Sequence, residues 1–475
     1  MTDLGTLTTR EGQQTVLSEA AVEAFKTGLR GKLIRPGDEG YDEARKVFNA
    51  MIDRHPALIV RCAGVADVIH AVNFARDSHL RVAVRGGGHN VTGNAVCEGG
   101  LVIDLSGMKG MRIDPAARTV RAEPGLTWGE LNHDLQVFGL GATGGYVSIT
   151  GIPGLTLGGG FGWLVRKHGL AMDNLLSVDI VTADGRLLTA SSTQNPDLFW
   201  AVRGGGGNFG VATSFEFQVH PVGTVLGGLI IHPVTSAKDV CRLVRENVDT
   251  IPDELTLGIL FFHVPPLPFL PKEMHGVPVV AIGACYAGPI EEGERALKPF
   301  RNFGQPLVDS IQPMPFSVAQ TMADVLWLPG RHNYWKSCFL KDLSDDAVET
   351  VVNRFAKVPS RQTVVLVDHN GGGAISRVDR DATAYAHRDL TYNFLVSSQW
   401  TDPADSEKNV RWTREFWDAM APFSARAMYV NYTSDEGDDV VKASYGPAQE
   451  RLVALKKKYD PTNLFRLNQN IKPAG

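Results

Sequence analysis

The sequence predicts an α+β protein in which a glycine-rich N-terminal region precedes a mostly antiparallel sheet with helices on one face. A β-α-β unit is indicated where the strand-like PALIVRCAG is followed by apolar residues at helical spacing and then by the strand LRVAV. Beyond residue 222, amphipathic helices such as VTSAKDVCRLVRENV alternate with apolar strands such as VPVVAIGACYAG.

The elements between the β-α-β unit and residue 222 follow from local signals. GGLVIDLSGM predicts a strand, and MRIDPAARTVRAEPG predicts two short strands about a turn. TWGELNHDLQVFG predicts a helix that ends at Gly139. VDIVTADGRLLTAS alternates around Asp184 and Gly185, which predicts a hairpin, and TSFEFQVHPV alternates as a strand does. The C-terminus predicts a helix, a turn and a tail.

Composition excludes several classes of partner. The chain has 475 residues, 43% of them hydrophobic, so it is expected to form two or three structural units. Its net charge of −5 argues against nucleic acid or an anionic membrane as a partner. The N-terminus is polar, and no run reaches the ~20 apolar residues of a membrane helix. Five scattered cysteines show no metal-binding spacing, so we expect no metal site and a cytoplasmic, reducing location.

Three glycine clusters need a common explanation. They are Gly86–Gly88, Gly158–Gly160 with Gly162, and Gly204–Gly207 with Gly210. The last contains a literal GxGxxG, but a strand-like segment follows it where a nicotinamide dinucleotide fold requires a helix. A long ligand lying along the loop backbones explains the clusters better than unrelated turns. Arg85 and exposed backbone N–H groups would suit a phosphate, the alternative being an ordinary strand-to-loop turn.

Four stretches together resemble a known family: VRGGGHN, GLTLGGGFGWLVRKHGLAMDNL, NPDLFWAVRGGGGNFGV and KYDPTNLFRLNQNI. They are similar to FAD-linked oxidoreductases with the vanillyl-alcohol oxidase fold (the PCMH-type FAD-binding domain), and within these to the bacterial berberine bridge enzyme-like branch, especially tailoring flavoenzymes of antibiotic pathways. The resemblance implies an FAD-binding domain over 1–222 with its core at 53–222. A substrate domain over 223–420 and a C-terminal segment over 421–475 that returns to the FAD domain would follow.

The resemblance also implies how FAD is held. The imidazole of His89 would be bonded to the flavin 8α carbon, with a loop histidine that only hydrogen-bonds as the alternative. Many relatives add a cysteine tether, but Val147 stands at about that place, so a single tether is expected. Asn468 and Asn470 would contact the flavin or the substrate, or else cap a helix. The other implied cofactor-binding residues are Arg85, Gly86, Gly87, Gly88, Asn90, Gly154, Gly158, Gly159, Gly160, Gly162, Asp173, Asn174, Gly207, Gly210 and Val211.

Catalysis in the family needs a base near the flavin. The segment MYVNYTSD offers Tyr429 and Tyr432, and strand alternation would put these on opposite faces, which favours Tyr432. Asp368 would support the tyrosine, and His369 is the next candidate. The glutamate or glutamine base of other members falls at Leu395, so it is absent here. The alternative is that Asp368 forms a structural pair and both tyrosines are core packing.

The expected function is therefore an FAD-dependent oxidase of a small to medium secondary-metabolite-like molecule. Hydride would pass to flavin N5, and O2 would be the acceptor. The alternatives are a flavin dehydrogenase with another acceptor and a non-catalytic flavin-binding partner protein. The proline-rich stretch 265–276 is a candidate lid over the site.

Overall fold

The computed structural model describes residues 7–266, 271–434 and 437–474, so part of the predicted lid, residues 267–270, lies outside the described residues. The N-terminal strands are β1 Leu7–Thr8, β2 Gln14–Thr15, β3 Lys32–Ile34, β4 Leu58–Arg61, β5 Val82–Arg85, β6 Leu101–Asp104, β7 Met111–Asp114, β8 Thr119–Ala122, β9 Leu140–Gly141, β10 Leu175–Val181, β11 Leu187–Ser191, β12 Val211–Gln218 and β13 His220–Pro221. The helices among them are α1 Glu19–Thr27, α2 Tyr41–Arg45, α3 Val65–Asp77, α4 Trp128–Gln136, α5 Ile152–Gly158, α6 Val165–His168 and α7 Pro196–Val202.

The middle of the chain forms the second layer of structure. Its strands are β14 Thr224–Pro233, β15 Leu255–His263, β16 Pro278–Tyr286, β17 Val308–Asp309, β18 Gln312–Pro315, β19 His332–Leu340, β20 Val364–His369 and β21 Tyr392–Trp400. Its helices are α8 Ala237–Asn247, α9 Ile290–Arg301, α10 Phe316–Ala319, α11 Asp345–Phe355, α12 Gly373–Arg377 and α13 Ser406–Met420, and the C-terminal helices are α14 Asp438–Tyr445 and α15 Gln449–Tyr459.

The first N-terminal sheet carries the loop that follows β5. Its strand order is β3-β4-β6-β5, and both β4 and β5 pair in parallel with β6. The predicted β-α-β unit therefore exists, but its two strands flank β6 and do not pair with each other. Apolar residues of α3 such as Val68 and Val72 are fully buried beneath the sheet.

The second N-terminal sheet is antiparallel, with the order β11-β10-β12-β8-β7. The predicted hairpin is β10–β11, and the predicted strand pair is β7–β8. Helix α4 begins at a capping box in which Thr127 and Glu130 satisfy each other's backbone N–H groups. Strand β12 follows the glycine run that ends at Gly210, which confirms that the GxGxxG there opens no helix.

The large sheet has the order β17-β14-β16-β15-β20-β21-β19, with β18 also pairing with β14, and its pairs are antiparallel. Successive side chains along β15 point to opposite faces of the sheet. Ile259 and Phe261 pack with α8, α9, α11 and α13, whereas Leu260 points to the opposite face. The predicted α+β class, with helices on one face of an antiparallel sheet, is confirmed, and the second face is left to form a wall of the candidate site.

The C-terminal segment is anchored to the N-terminal region by the buried side chain of Lys456. Lys456 and Asp460 have fully buried side chains whose Nζ and Oδ2 atoms are 2.7 Å apart. Lys456 also donates to the carbonyl oxygens of Asn208 and Phe465. The glycine run containing Asn208 is thereby fixed to the chain's end. Within the described residues, no helix is both long enough and apolar enough to cross a membrane.

Candidate active site

A cavity of about 1940 Å³, counted with its open mouth, lies between the glycine-rich loops and the free face of the large sheet. That volume includes open solvent at the mouth, and the lining extends from the glycine-rich loops to strands β15, β20 and β21. The sequence-predicted site residues that line it are Gly86, Gly87, Gly88, His89, Asn90, Val147, Gly154, Gly207, Gly210, Asp368, Tyr432 and Asn468.

The first glycine loop follows β5 and forms one wall. A Cβ atom on Gly87 would lie 2.6 Å from the Cα atom of Gly151, so these two loops touch backbone to backbone. Gly88 has a φ of +66°, which favours glycine. Arg85 does not line the cavity: its guanidinium donates to the carbonyl oxygen of Ala44. Gly87 therefore allows the two loops to pack closely, while Gly86, Gly87 and Gly88 all line the cavity.

His89 stands at the end of this loop. Its ring stacks on Phe48 with centroids 3.9 Å apart, and its Nε2 atom is buried without a hydrogen-bond partner. Burial lowers the pKa of His89 to about 4, because the charged imidazolium would lose its hydration. The imidazole is therefore neutral near pH 7, with an unused nitrogen beside the cavity.

Val147 lines the same cavity and is 8% exposed. All five cysteines are buried and unpaired, and none belongs to the described lining. Among the described lining residues, His89 is therefore the one histidine or cysteine to which a ligand could be attached.

The second glycine run lies beside Tyr429. Gly158, Gly159, Gly160 and Gly162 do not line the cavity. Gly160 has a φ of +103°, and its N–H donates to the Tyr429 hydroxyl over 2.8 Å. This run therefore holds Tyr429.

Asp173 and Asn174 also lie away from the cavity. Asp173 forms a buried ion pair with Arg388, whose Nη2 atom is 2.7 Å from Oδ1. Asn174 donates to the His168 and Leu170 carbonyls, and its Oδ1 lies 2.6 Å from Nε2 of His220. Both side chains fix the loop after α6 and lie outside the described lining of the cavity.

The third glycine run approaches the cavity at two points. Gly207 and Gly210 line it, and a Cβ atom on Gly207 would have no neighbour within 4 Å. Val211 is buried in the core below. Asn468 lines the cavity with Oδ1 unpartnered, whereas Asn470 lies in a separate, smaller pocket.

Tyr429 and Tyr432 are not on opposite faces of a strand, so that prediction is wrong. They belong to a turn in which the Tyr432 N–H donates to the Tyr429 carbonyl over 2.9 Å, and their rings meet at 4.9 Å. Tyr432 lines the cavity. Tyr429 does not, and its hydroxyl accepts from Gly160 N–H and, over 2.9 Å, from Nδ2 of Asn431.

Asp368 and His369 point to opposite faces of β20. Asp368 faces the cavity with its Oδ2 atom unpartnered. Burial raises the pKa of Asp368 to about 8, partly opposed by the Asn370 side chain. His369 packs on Tyr392 at 5.7 Å on the helix-covered side, out of reach of the cavity. The structure therefore places Asp368 at the cavity and His369 on the opposite face of the sheet.

Several cavity residues escaped sequence reasoning. Tyr146 lines the cavity and donates to Oδ1 of Asn370 over 3.0 Å. Phe48 connects His89 to Trp335, which in turn meets Tyr432, with ring centroids 6.3 and 6.2 Å apart. The position of Tyr146 beside Val147 was a usable signal, but no sequence pattern connects Phe48 or Trp335 to the site.

These features fit FAD. His89 offers an unpaired nitrogen, and added Cβ atoms on Gly154 and Gly207 would meet no protein atom within 4 Å, so backbone is open to a ligand there. A ligand large enough to reach both the glycine loops and His89 would use the full length of the cavity.

Comparison with known proteins agrees with this fit. A sequence model described as the FAD binding domain matches residues 56–191, and one described as berberine and berberine like matches residues 428–472. An FAD-linked oxidoreductase of Dictyostelium discoideum is 33% identical over 98% of this chain and 99% of its own length. (R)-6-hydroxynicotine oxidase of Paenarthrobacter nicotinovorans is 30% identical over 95% and 99%.

Solved structures show the same relationship. The crystal structure of 6-hydroxy-D-nicotine oxidase from Arthrobacter nicotinovorans has a TM-score of 0.85 and 29% identity, covering 94% of this chain and 98% of that one. A chitooligosaccharide oxidase has a TM-score of 0.82 and 26% identity, covering 96% and 100%. The chain belongs to the FAD-linked oxidoreductases with the vanillyl-alcohol oxidase fold. Within that class it is a berberine bridge enzyme-like flavoenzyme whose cofactor is FAD.

Proposed function

We propose that the protein is an oxidase that holds one FAD covalently through His89 and oxidises a small organic molecule at the sheet-side wall of the cavity. The observation that carries this proposal is the neutral imidazole of His89, whose unpaired Nε2 atom lies at a cavity that the glycine loops also line. Val147 lines the cavity, and the family resemblance puts it at about the place of the second tether, which supports attachment through histidine alone.

The residues that would hold FAD are those whose backbone faces the cavity. Gly86–Gly88, Gly154 and Gly207 would line the cofactor, and Asn468 offers an unpaired amide oxygen. Bound FAD supplies the hydride acceptor. Removal of hydride from a substrate C–H bond requires that a proton leave the adjacent O–H or N–H group, and this is the task of the protein.

Tyr432 and Asp368 are the groups placed to take that proton. Both face the cavity, and the negative charge of Asp368 raises the pKa of Tyr432, which burial already places well above 10. A tyrosine with so high a pKa stays protonated near neutral pH, so it cannot act as a base by itself. We therefore propose that the substrate's proton passes to the Tyr432 oxygen while the Tyr432 hydroxyl proton passes to the Asp368 carboxylate, so that Asp368 is the final proton acceptor.

Two other functions are alternatives: one differs in the electron acceptor, and the other involves no catalysis. A dehydrogenase would pass electrons to a quinone or a protein, and a non-catalytic flavin-binding partner would pass none. The Asp368 carboxyl, whose Oδ2 atom is unpartnered in the cavity, favours catalysis, because a buried ionisable group with a strongly shifted pKa is typical of active sites.

A reduction and reoxidation experiment tests the proposed function. Purified protein is mixed anaerobically with a panel of alcohols and amines, and flavin absorbance is followed. Bleaching by at least one compound, followed by rapid recovery in air, is expected of an oxidase. Bleaching that persists in air would indicate another acceptor, and no bleaching by any donor would indicate a binding protein.

We also propose a cytoplasmic location and a substrate related to secondary metabolites. Support for the location comes from the five cysteines, which are all unpaired as expected in a reducing compartment. Several fungal FAD-linked oxidoreductases among the relatives, such as one from Aspergillus terreus at 30% identity, are compatible with the substrate proposal.

A further inference from the structure

The sheet-side half of the cavity has one apolar wall. Leu260 on β15, Leu366 on β20 and Leu395 on β21 project from the same sheet face. The indole rings of Trp327 and Trp335 continue this wall, and the Nε1 atoms of both are already used in hydrogen bonds, to Ser397 and Asn333. A molecule lying here therefore meets apolar side chains with few free hydrogen-bonding groups.

The polar groups of this half are gathered at one end. Asp368, Tyr432, Tyr146 and Asn431 lie along β20 and the loops beside it. Tyr146 donates to Asn370, and Asn431 donates to Tyr429 and the Leu155 carbonyl, so both have their donors engaged. The atoms left for a substrate are chiefly the carboxyl of Asp368 and the hydroxyl of Tyr432.

The charge of the wall restricts the substrate further. Among the described lining residues there is no lysine and no arginine, and the acidic one is Asp368. An anionic substrate would enter a buried, low-dielectric site without a counter-ion and beside a carboxyl group. An oligosaccharide would leave most of its hydroxyl groups without partners.

Gly258 opens a notch in the wall beside Asp368. It pairs across the sheet with Asp368 on β20 and with Gly283 on β16. A Cβ atom added to Gly258 would lie 3.5 Å from Oδ1 of Asp368 and from Cδ1 of Leu366, which are ordinary contact distances. The fold could therefore accept a small side chain at Gly258, and Gly258 itself lines the cavity.

We propose that this site takes a small, predominantly apolar, uncharged molecule, such as an arylalkyl alcohol or neutral amine, and that Gly258 is the residue that sets how deeply it enters. The polar group of this molecule lies at Asp368 and Tyr432, and its apolar body lies against the leucine and tryptophan side chains. This inference rests on the proposed function, because it places FAD along the glycine loops and leaves the sheet side for the substrate.

Three probes of the purified flavoprotein test the substrate class. Cinnamyl alcohol, cinnamate and cellobiose are titrated, and binding is read from the change in flavin absorbance on mixing. We expect cinnamyl alcohol to bind at least tenfold more tightly than either other probe. The preference over cinnamate should increase from pH 6 to pH 9 as Asp368 ionises, and Asp368→Asn should remove this increase. Cinnamate or cellobiose binding as tightly as the alcohol, or an alcohol that fails to bind, would overturn the inference.

Variants of Gly258 test the notch. Gly258→Val should weaken cinnamyl alcohol binding at least tenfold, and Gly258→Ala should weaken it less, both with wild-type flavin content and melting temperature. Gly223→Val is the matched control, because Gly223 is exposed and an added Cβ there meets nothing within 4 Å. If Gly258→Val binds the alcohol as the wild type does, Gly258 does not set the depth. If Gly258→Val fails to fold, unchanged binding by Gly258→Ala overturns the assignment.

The substrate class and the proposed function are contradicted by different results. A yellow protein that is bleached by some donor but prefers cinnamate or cellobiose contradicts the substrate class alone. A protein without flavin, or one that no donor bleaches, contradicts the proposed function instead.

Discussion

Tyr432 and Tyr429 differ in what their hydroxyl groups face, and this difference predicts different mutant behaviour. Tyr432→Phe should slow anaerobic flavin reduction by ~10²–10⁴-fold, the usual contribution of general-base assistance. Flavin content should stay intact, because the ring remains. Tyr429→Phe is the control: it removes the acceptor for Gly160 N–H, so it should lower the melting temperature while reduction slows less than tenfold. The reverse ranking of the two reduction rates would assign the proton transfer to Tyr429.

Asp368 predicts the pH dependence. Its pKa is raised to about 8 by burial, so below that pH it is mainly protonated and cannot favour proton removal. The rate of flavin reduction should rise with pH to a plateau above about 8, and Asp368→Asn should lower this rate and remove the rise. A profile that keeps its inflection near pH 8 in Asp368→Asn would assign it to another group.

The same shift affects stability. A carboxyl group whose pKa rises on folding destabilises the folded state increasingly as pH rises from about 4 to about 8. Asp368→Asn should therefore raise the melting temperature more at pH 8 than at pH 5, if the cavity otherwise keeps its structure.

At the residue scale, sequence reasoning succeeded where a residue follows directly from a motif. RGGGHN led to His89 and to the glycines of its loop, which line the cavity. It failed for Arg85, which turns away to the Ala44 carbonyl, and for Phe48, which packs on His89 from a distant part of the chain. Those contacts depend on tertiary packing that no local pattern records.

At the scale of elements, the third glycine run contains one glycine that the fold requires and another that is open to a ligand. A Cβ atom on Gly205 would lie 2.4 Å from the Ala201 carbonyl oxygen, whereas one on Gly207 would meet nothing within 4 Å. Gly205→Val should destabilise the fold, by about 1–3 kcal/mol for an overpacked position, and lower flavin loading with it. Gly207→Val should lower flavin loading while the melting temperature of the flavin-free protein stays within a few degrees. Equal flavin loading in Gly207→Val and the wild type would show that this loop does not hold the cofactor.

Elements defined by local turn chemistry were predicted well. The β10–β11 hairpin and the capped helix α4 stand where their signals place them. The segment from Tyr429 to Tyr432 was predicted wrongly. An alternating sequence of four residues is too short to determine a strand, and here Tyr429 makes hydrogen bonds with Gly160 and Asn431 instead. Similarly, the pairing of β4 and β5 with β6 depends on the whole sheet.

At the scale of the molecule, the site exists because two layers meet. The glycine loops contribute backbone from the N-terminal region, and the free face of the large sheet contributes Asp368 and the apolar wall. The C-terminal segment joins them: its Lys456 holds the third glycine run, and its Tyr432 faces the cavity. The predicted boundaries at residues 222 and 420 fall between elements of this arrangement and stay predictions, as does the finer resemblance to antibiotic-pathway flavoenzymes.

The central claim is that one FAD is bonded to the chain through His89 alone, and denaturing mass analysis tests it most directly. Acid-denatured wild-type protein should stay yellow and carry the mass of one FAD, located by digestion to a flavin peptide containing His89. His89→Ala should release its FAD on denaturation, and Val147→Ala, as the matched control, should retain it. A wild-type protein that loses all its flavin on denaturation, or a flavin peptide that also contains a cysteine, would contradict the claim.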